Sequence, residues 1–345
     1  MTRPHNPIPY VYLYRQGNFD AIPGSPWVYW ITPGLRRVFE ELPRLEEVAK
    51  PVVGLQTSDN FRFLRFWWEV GIDRIGFGCK SREEAASSEK KWFPHMKGGS
   101  FKRWWGNQEH VVNWWRDGKE LRAFEPAVIR NPAFYFRRGV TWSHTTSKSL
   151  SVRYMPEGFT FNVEAPSCFL QSYLDLLGLL GVLNSGFADY ALNLVNPTIH
   201  MTVGAASKAP VPQKSSNVLR ELVEKAIELA KKDAEEDETT WDFVAPPDWP
   251  DGNDERGTMD DERGMRNEER GTMSDEGGRM KDENGRMGPE ERAALLAEIE
   301  RQIDEEVYRL YGISEEDRQA IEEELGMRND EGGTRNDERG MMKAE

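Results

Sequence analysis

A short polar cluster offers the clearest chemistry in this chain of 345 residues. Residues 56–60 combine amide, hydroxyl and carboxylate side chains with residue types that favour turns, and two arginines follow within five positions. An amide side chain can pair bidentately with adenine in the major groove of DNA, and an arginine can pair with guanine. The cluster therefore predicts base-edge contacts by the following residues: Gln56, Thr57, Asp59, Asn60, Arg62 and Arg65.

The same cluster has a purely structural interpretation. Thr57, Asp59 and Asn60 belong to the residue types that cap turns, and the arginines can pair with Glu69 or another acid. The sequence alone leaves both interpretations open.

A second candidate surface lies in residues 90–118, where basic and aromatic residues are interleaved almost without a break. Cationic side chains neutralise phosphates and aromatic faces stack on bases, so the mixture is typical of a nucleic-acid surface. This segment and the strands after it supply further predicted DNA contacts: Lys91, Lys97, Lys102, Arg103, Asn107, Ser143, Lys148 and Arg153.

Three Trp-Trp pairs accompany these cations: Trp67-Trp68, Trp104-Trp105 and Trp114-Trp115. Aromatic side chains bury large areas, so packing in a core is the ordinary role of most of them. The glycines of the segment Lys97-Gly98-Gly99-Ser100 allow either a phosphate-holding loop or a plain β-turn.

Charge is divided unevenly along the chain. Residues 1–220 carry 27 Lys and Arg against 19 Asp and Glu, whereas the remainder carries 18 against 40, for a net charge of -14. A mildly basic front half can meet a polyanion, so the front half is where we expect binding.

The rest of the composition excludes several classes. Cys79 and Cys168 lie far apart and the five histidines have no ligand spacing, so neither disulfides nor a metal site is predicted. The N-terminus lacks an apolar signal region, and the apolar run 174–183 is too short to span a bilayer. We expect a cytoplasmic protein that does not bind a membrane.

The patterns predict an α+β (mixed α/β) recognition domain followed by helical segments and disordered repeats rich in glycine and acids. In the front half we expect a strand at Val28–Ile31, a helix with Leu35, Val38 and Phe39 on one face, and a long helix from about Leu170 to Val195 that ends at Asn196-Pro197. Short runs rich in β-formers predict strands at 134–136, 139–143, 151–155 and 158–163.

The rear half divides by composition. A seven-residue repeat with glycine at a fixed place, as in NDERGTM, fills residues 253–287 and returns at 329–342. A fixed glycine and few apolar positions argue against a coiled coil and favour disorder. The predicted units are a DNA target-recognition domain (1–215), an amphipathic helix and linker (216–245), disordered repeats (251–288), a helical pair (289–326) and a disordered repeat tail (327–345).

Seven phrases in order across residues 22–243 resemble one family: IPGSPWVYW, GLQTSDNFRFLRFWWEV, KWFPHMKGGSFKRWWGNQEHVVNWWRDG, GVTWS, SVRYMPEGFTF, LLGVLNS and ELVEKAIELAKKD with ETTWDF. They resemble the C-terminal part of the adenine-specific DNA methyltransferases of the phage-exclusion (BREX or Pgl) systems. Those enzymes are relatives of single-chain type II restriction–modification enzymes with a Taq-type specificity domain. The resemblance implies a target-recognition domain that binds double-stranded DNA and presents adenine to a catalytic domain.

The catalytic signature itself is not found. Asn131-Pro132-Ala133-Phe134 is one residue away from the Asn-Pro-Pro-aromatic motif that holds a flipped adenine, but no glycine-rich cofactor loop precedes it. We therefore expect no catalytic residues and no S-adenosylmethionine site in this chain. The resemblance implies partnership with a methyltransferase domain encoded elsewhere or with other defence-system subunits.

The sequence departs from the family at two places. Ser58 stands where the family usually has glycine, and His95-Met96 replaces a Tyr-Asn pair. A rival interpretation of the whole front half is a tryptophan-rich module that binds carbohydrate or protein, because exposed tryptophans stack on sugars as well as on bases.

Overall fold

A computed structural model describes residues 15–24, 26–146, 149–171, 175–214, 216–244 and 287–326. The strands are β1 (Ala49–Val52), β2 (Leu64–Phe66), β3 (Trp92–Met96), β4 (His110–Asn113), β5 (Gly139–Trp142), β6 (Val152–Met155), β7 (Thr160–Phe161) and β8 (Ser167–Leu170). The helices are α1 (Pro33–Glu41), α2 (Leu45–Val48), α3 (Asn60–Phe63), α4 (Arg82–Ser87), α5 (Trp115–Arg122), α6 (Leu176–Asn184), α7 (Gly186–Val195), α8 (Val203–Ala206), α9 (Asn217–Glu235), α10 (Pro289–Tyr311) and α11 (residues 315–326). Short 3-10 helices cover Gln16–Ala21, Trp67–Glu69, Ile72–Arg74 and Pro132–Phe134.

Two four-stranded sheets organise the front half. The first sheet has the order β1-β8-β5-β6 and is antiparallel throughout. The second has the order β2-β4-β3-β7, in which only the β3–β7 pair is parallel. The predicted α+β class is confirmed.

The larger apolar core joins the first sheet to the helices on both sides of the repeat segment. Val140, Trp142 and Val152 of the sheet share it with residues of α6, α7, α9, α10 and α11, such as Leu179 and Ile303. Helices α6 and α9 approach closely at Gly181, where a Cβ atom would lie 2.8 Å from side chains of Leu219 and Val223. The helices after residue 215 therefore pack directly on the front half of the chain.

Arg292 fixes α10 to the end of α9. Its guanidinium is nearly buried, donates from Nε to Asp233 at 2.8 Å, and forms a bidentate-type pair with Glu236. The ends of the two helices that flank the repeat segment are thereby held together. The predicted repeat segments, apart from Met287 and Gly288, lie outside the described residues.

Several predicted elements are confirmed. Thr32 caps α1, whose buried residues are Leu35, Val38 and Phe39, as the periodicity indicated. Strands β5, β6 and β7 form within the predicted runs, and α9 covers the predicted amphipathic helix. The helical pair forms as α10 and α11, with Ser314 accepting a hydrogen bond from the backbone N–H of Asp317.

Three predicted elements are wrong. Val28–Ile31 forms a turn, because Val28 and Ile31 point inward at a spacing of three while Tyr29 and Trp30 remain exposed. Residues 134–136 form the end of a 3-10 helix and a turn, since Asn131 adopts a left-handed conformation before Pro132.

The long helix predicted from Leu170 to Val195 is also divided. Leu170 belongs to β8, α6 begins only at Leu176, and the helical path breaks at Ser185. Ser185 has an extended backbone and caps α7 by accepting from the N–H of Ala188. Asn184, just before it, exchanges two hydrogen bonds with the backbone of Val152, which attaches the break to β6.

No helix in the described part of the chain is long and apolar enough to cross a membrane.

Candidate nucleic-acid interface

Residues 56–62, here called the 56–62 turn, form a rigid projection ahead of β2. Gln56 exchanges two backbone hydrogen bonds with Val128, at 2.8 and 2.9 Å. The Thr57 hydroxyl donates to Asn60 Oδ1 at 2.6 Å, and the Ser58 hydroxyl donates to the carbonyl of Pro126 at 2.6 Å. Asp59 Oδ1 accepts from the backbone N–H of Arg62 at 3.0 Å. Four consecutive residues, Gln56 to Asp59, are therefore held by hydrogen bonds.

This geometry divides the predicted base-reading residues. Thr57 is buried and Asp59 is half-buried, and both are used to hold the turn, so the structural interpretation accounts for these two. Gln56, Asn60 and Arg62 remain exposed on this turn. The predicted base contacts thus reduce to two amides and one guanidinium.

The arginines of the cluster are held by rings and carbonyls. The Arg62 guanidinium lies 5.0 Å from the ring centroids of Phe63 and Phe124, and Arg65 donates to the carbonyls of Phe61 and Leu64. The Glu69 carboxylate accepts from the backbone N–H of Phe66 instead. Among the described residues neither arginine forms an ion pair, so both keep their charge available.

Arg65 and Lys91 both approach the ring of Trp92 on β3. Their charged groups lie 5.5 and 5.9 Å from its centroid, and Lys91 also lies 3.4 Å from Glu120. Lys97 follows β3 at its other end, roughly 20 Å from Lys91 at about 3.3 Å per residue. The candidate cations therefore do not form one cluster but lie at the two ends of the second sheet.

The glycine loop at the far end, residues 97–107, is closed rather than open. Gly98 and Gly99 have φ of 82° and 151°, and a Cβ atom on Gly98 would lie 2.5 Å from the carbonyl of Glu164. Asn107 donates to the carbonyl of Ser100 at 2.9 Å, and Ser143 donates to that of Gly99 at 3.2 Å. The Asn107 and Ser143 side chains hold this loop in place, which favours its interpretation as a structural turn.

Two cations of this loop are engaged by the rear half of the chain. Lys102 Nζ lies 3.6 Å from Asp237, and Arg103 lies 3.5 Å from Glu300 on α10. The same Glu300 accepts from the indole N–H of buried Trp104 at 2.7 Å, and the indole of Trp105 donates to Asp242 at 2.8 Å. Both predicted phosphate contacts are therefore neutralised within the chain.

The Arg153 side chain is fully buried and cannot contact DNA, which corrects its predicted role. Its side chain is 0% exposed and donates to the carbonyls of Lys102 and Ser151 and to the Ser143 hydroxyl, at 3.2–3.3 Å. Burial lowers the pKa of Arg153 to about 10, an effect that the charge of Glu109 partly opposes. Asn107 and Ser143 are buried as well, so these three residues support the 97–107 loop. Lys148 lies outside the described residues.

The tryptophan pairs are mostly core. Trp104, Trp105 and Trp114 are buried, whereas Trp68 keeps 48% of its surface exposed and stacks on Phe66 with centroids 4.6 Å apart. Among the described residues no group of three or more His, Cys, Asp or Glu is placed to hold a metal.

Asn131, the first residue of the motif-like segment, also has a structural role. Its side-chain amide donates to the carbonyl of Val53 at 2.9 Å.

Two histidines, the buried His95 and the half-buried His110, pair across β3 and β4. His95 and His110 are register partners; His95 Nδ1 lies 2.8 Å from the Thr160 hydroxyl, while His110 lies against Phe66. Burial lowers the pKa of His95 to about 3 and that of His110 to about 4, and the proximity of Lys97 adds to both shifts. Both imidazoles are neutral inside the second sheet.

The structure adds three residues that the sequence did not indicate. Arg130 lies beside the 56–62 turn, with Nη1 3.4 Å from Gln56 Oε1, and Val128 is half-exposed next to it. Phe61 projects from the turn with 94% of its surface exposed. Only Phe61 carried a usable signal, since a large apolar residue stands inside a run of polar turn-formers.

Comparison with known proteins relates the chain to one class of enzyme. The chain is homologous to a segment of adenine-specific methyltransferases, so the predicted relation to that class is confirmed. The adenine-specific methyltransferase BrxX of Escherichia coli O9:H4 (strain HS) is 37% identical over 231 residues, which cover 66% of this chain and 18% of that protein. The adenine-specific methyltransferase PglX of Lacticaseibacillus casei (strain Zhang) is 33% identical over 253 residues, or 71% of this chain and 21% of that protein.

The chain therefore spans about a fifth of the length of the curated relatives that it matches. No protein-family model matches it.

Proposed function

We propose that this chain is the DNA-recognition part of a site-specific adenine DNA methyltransferase of a restriction–modification or phage-exclusion system. In this role it reads the target sequence in double-stranded DNA and presents an adenine to a catalytic domain. S-adenosylmethionine and the transfer of the methyl group belong to that catalytic domain, which the proposal places outside the residues described here.

The 56–62 turn carries the proposal. Gln56, Asn60 and Arg62 are exposed on a projection that backbone and side-chain hydrogen bonds hold in one shape. Binding residues are commonly placed on loops that a rigid scaffold positions. Two amides and a guanidinium are the groups that pair bidentately with adenine and guanine in the major groove.

Phosphate contacts fit a second set of residues. Arg65, Lys91 and Lys97 lie at the ends of the second sheet, and the 20 Å between the two lysines matches about six base pairs of B-form DNA at 3.4 Å per step. Such contacts fix the register of a protein on the duplex and leave the choice of sequence to the base contacts. Lys102 and Arg103 join this set only when DNA competes with Asp237 and Glu300.

Adenine methylation requires the target base to leave the stack, which costs unstacking and unpairing energy. The chain contributes to that step by holding the duplex on both sides of the target. Its own residues bind and orient the DNA, and no proton or methyl transfer is assigned to them.

Selection from a pool of random-sequence duplexes by the purified full chain tests the proposal. The selected duplex should bind more tightly than random DNA, and log Kd should rise steeply with log salt. Carbohydrate stacking, the rival mode, is nearly independent of salt. Enrichment of no sequence, together with a flat salt dependence, would overturn the proposal.

A comparison of Arg62→Ala with the control variant Arg220→Ala tests whether Arg62 contacts the bases. Both arginines are exposed, but Arg220 lies on α9 and pairs with Glu224. Arg62→Ala should cost about 1–3 kcal/mol on the selected duplex and much less on random DNA. Arg220→Ala should change neither, and equal effects of the two variants would remove Arg62 from the interface.

A further inference from the structure

Phe61 is the most exposed large apolar residue in the described part of the chain. Its side chain is 94% exposed, whereas Phe63, two positions later, is wholly buried against Phe124. Two other exposed aromatics have ring partners: Trp68 stacks on Phe66, and Phe77 contacts Trp241 edge to face. Among the described residues no aromatic contact is formed by Phe61.

The exposure is imposed by the backbone and does not reflect a loose tip. Asp59 caps the turn just before Phe61, the Thr57 hydroxyl bonds Asn60, and the Arg65 guanidinium donates to the carbonyl of Phe61 itself. Ser58 enters the turn with a φ of 57°, a conformation unfavourable for any residue with a Cβ atom. A strained and fully bonded turn that projects one phenyl ring into water indicates a ring with a binding role.

The surroundings of the ring favour DNA over an apolar protein groove. Asn60 and Arg62 flank it on the turn, and Gln56 and Arg130 lie on the adjoining segments. A protein groove that accepts a phenylalanine buries its rim as well, and burial would leave these amides and guanidinium groups without partners. A duplex supplies a π face for the ring, together with base edges and phosphates for the groups around it.

We infer that Phe61 enters the base stack at the target site and stacks on a base that the flipped adenine leaves exposed. This inference rests on the proposed function and deepens it. Apolar side chains that act as wedges between base steps are known to unstack and kink a duplex. Here the polar neighbours on the same turn would fix where the wedge enters, so one turn would both read the site and open it.

The test uses the full chain, the selected duplex, and the variants Phe61→Ala, Phe61→Trp and Phe243→Ala. Phe243, which follows α9 and is 37% exposed, is the control phenylalanine. Because Phe61 makes so little contact, Phe61→Ala and Phe61→Trp should unfold at the same temperature as the parent. Phe61→Ala loses the stacking on one base, so it should bind about tenfold more weakly than the parent. Phe61→Trp and Phe243→Ala should bind like the parent.

Duplexes with 2-aminopurine at successive positions report the opening directly, because this base fluoresces when it is unstacked. The parent chain should raise the fluorescence at one position, and Phe61→Ala should not. A duplex with an abasic site at that position should bind the parent more tightly than the intact duplex and should lose this preference with Phe61→Ala.

The outcomes separate the two proposals. Sequence-specific binding that depends on Arg62 but is unchanged by Phe61→Ala, in affinity and in fluorescence, would overturn the wedge and leave the recognition role standing. Absence of binding to any duplex by the parent chain would overturn both.

Discussion

The guanidinium of Arg103 lies 3.5 Å from the carboxylate of Glu300, a residue almost two hundred positions later on α10. Glu300 also accepts the indole N–H of Trp104, so one carboxylate satisfies a cation and a buried donor on adjacent residues. Through this contact the acidic rear half of the chain neutralises part of the basic front half. The pairing has consequences for both stability and DNA affinity.

Glu300→Gln and Glu300→Ala separate these two functions. Gln keeps an acceptor for the Trp104 indole and removes only the charge, so unfolding free energy should fall by about 0.2–1 kcal/mol. Ala also leaves a buried N–H without a partner, and its cost should reach about 1–3 kcal/mol. Urea unfolding measures both. Equal losses for the two variants would contradict the assigned role of the indole hydrogen bond.

The same Glu300→Gln variant should bind random duplexes more tightly at low salt, because it frees Arg103 for phosphate. Each released cation should add about 0.9 to the magnitude of the slope of log affinity against log salt. Glu224→Gln, which breaks an exposed pair on α9, is the matched control and should leave the slope unchanged.

Arg153 and Lys97 form a contrasting pair of cations. Arg153→Ala removes a buried side chain with three hydrogen-bond acceptors and should cost about 3 kcal/mol of stability, with no change in the salt slope of the folded protein. Lys97 is only half-buried, so Lys97→Ala should change the salt slope and leave stability unchanged. Salt titrations alongside thermal melts distinguish them; a changed slope for Arg153→Ala would show that the guanidinium reaches DNA.

Acid should destabilise the protein through His95 and His110. Their folded pKa values, about 3 and 4, lie below the unfolded value of about 6.5, so the unfolded state gains protons first as the pH falls. Stability from each should be intact above pH 6.5 and should decline below it until the folded pKa is reached. For fully buried His95 the slope is about 1.4 kcal/mol per pH unit.

Asp304 acts in the opposite direction over part of this range. Burial raises its pKa to about 6, so its contribution to stability falls as the pH rises from about 4 to 6. Comparison of the parent with His95→Gln in urea unfolding between pH 7.5 and pH 4.5 isolates the histidine. The variant should show the shallower decline, and parallel curves would mean that His95 has the same pKa in the folded and unfolded states.

Ser58 has opposing effects on the 56–62 turn. Its positive φ favours glycine, but its hydroxyl donates to Pro126 at 2.6 Å. Ser58→Gly relieves about 1 kcal/mol of backbone strain and loses a hydrogen bond of similar value, so stability should change little. Ser58→Ala keeps the strain and loses the bond, and should be about 1 kcal/mol less stable than the parent. A higher melting temperature for Ser58→Ala than for Ser58→Gly would contradict this account.

The parts of the fold that could be predicted are those set by local pattern. The spacing of Leu219, Leu222 and Val223 defines α9, and a run of β-formers defines β6, because periodicity and propensity act over a few residues. The break at Ser185 could not be predicted in this way. It depends on Asn184 bonding to Val152, which lies 32 residues earlier and on another element.

The candidate site likewise has a part that local pattern predicts and a part that it does not. The turn-forming types at 57–60 did predict a turn, and the exposed amides follow from it. The partners of the cations were not predictable, because Asp237, which follows α9, and Glu300, on α10, lie more than a hundred residues from Lys102 and Arg103. Arg153 lies on a strand buried on both faces, so alternation gave no sign that its side chain points inward.

The ion pairs of Arg292 with Asp233 and Glu236 also affect how far the chain can change in length without loss of the fold. Because the ends of α9 and α10 are fixed to each other, the chain leaves the fold and re-enters it at one place. The entropy of closing a flexible loop grows only with the logarithm of its length, so that doubling it costs about 0.6 kcal/mol. Gain or loss of a seven-residue copy between these helices is therefore nearly neutral for the fold, and the number of copies is free to drift.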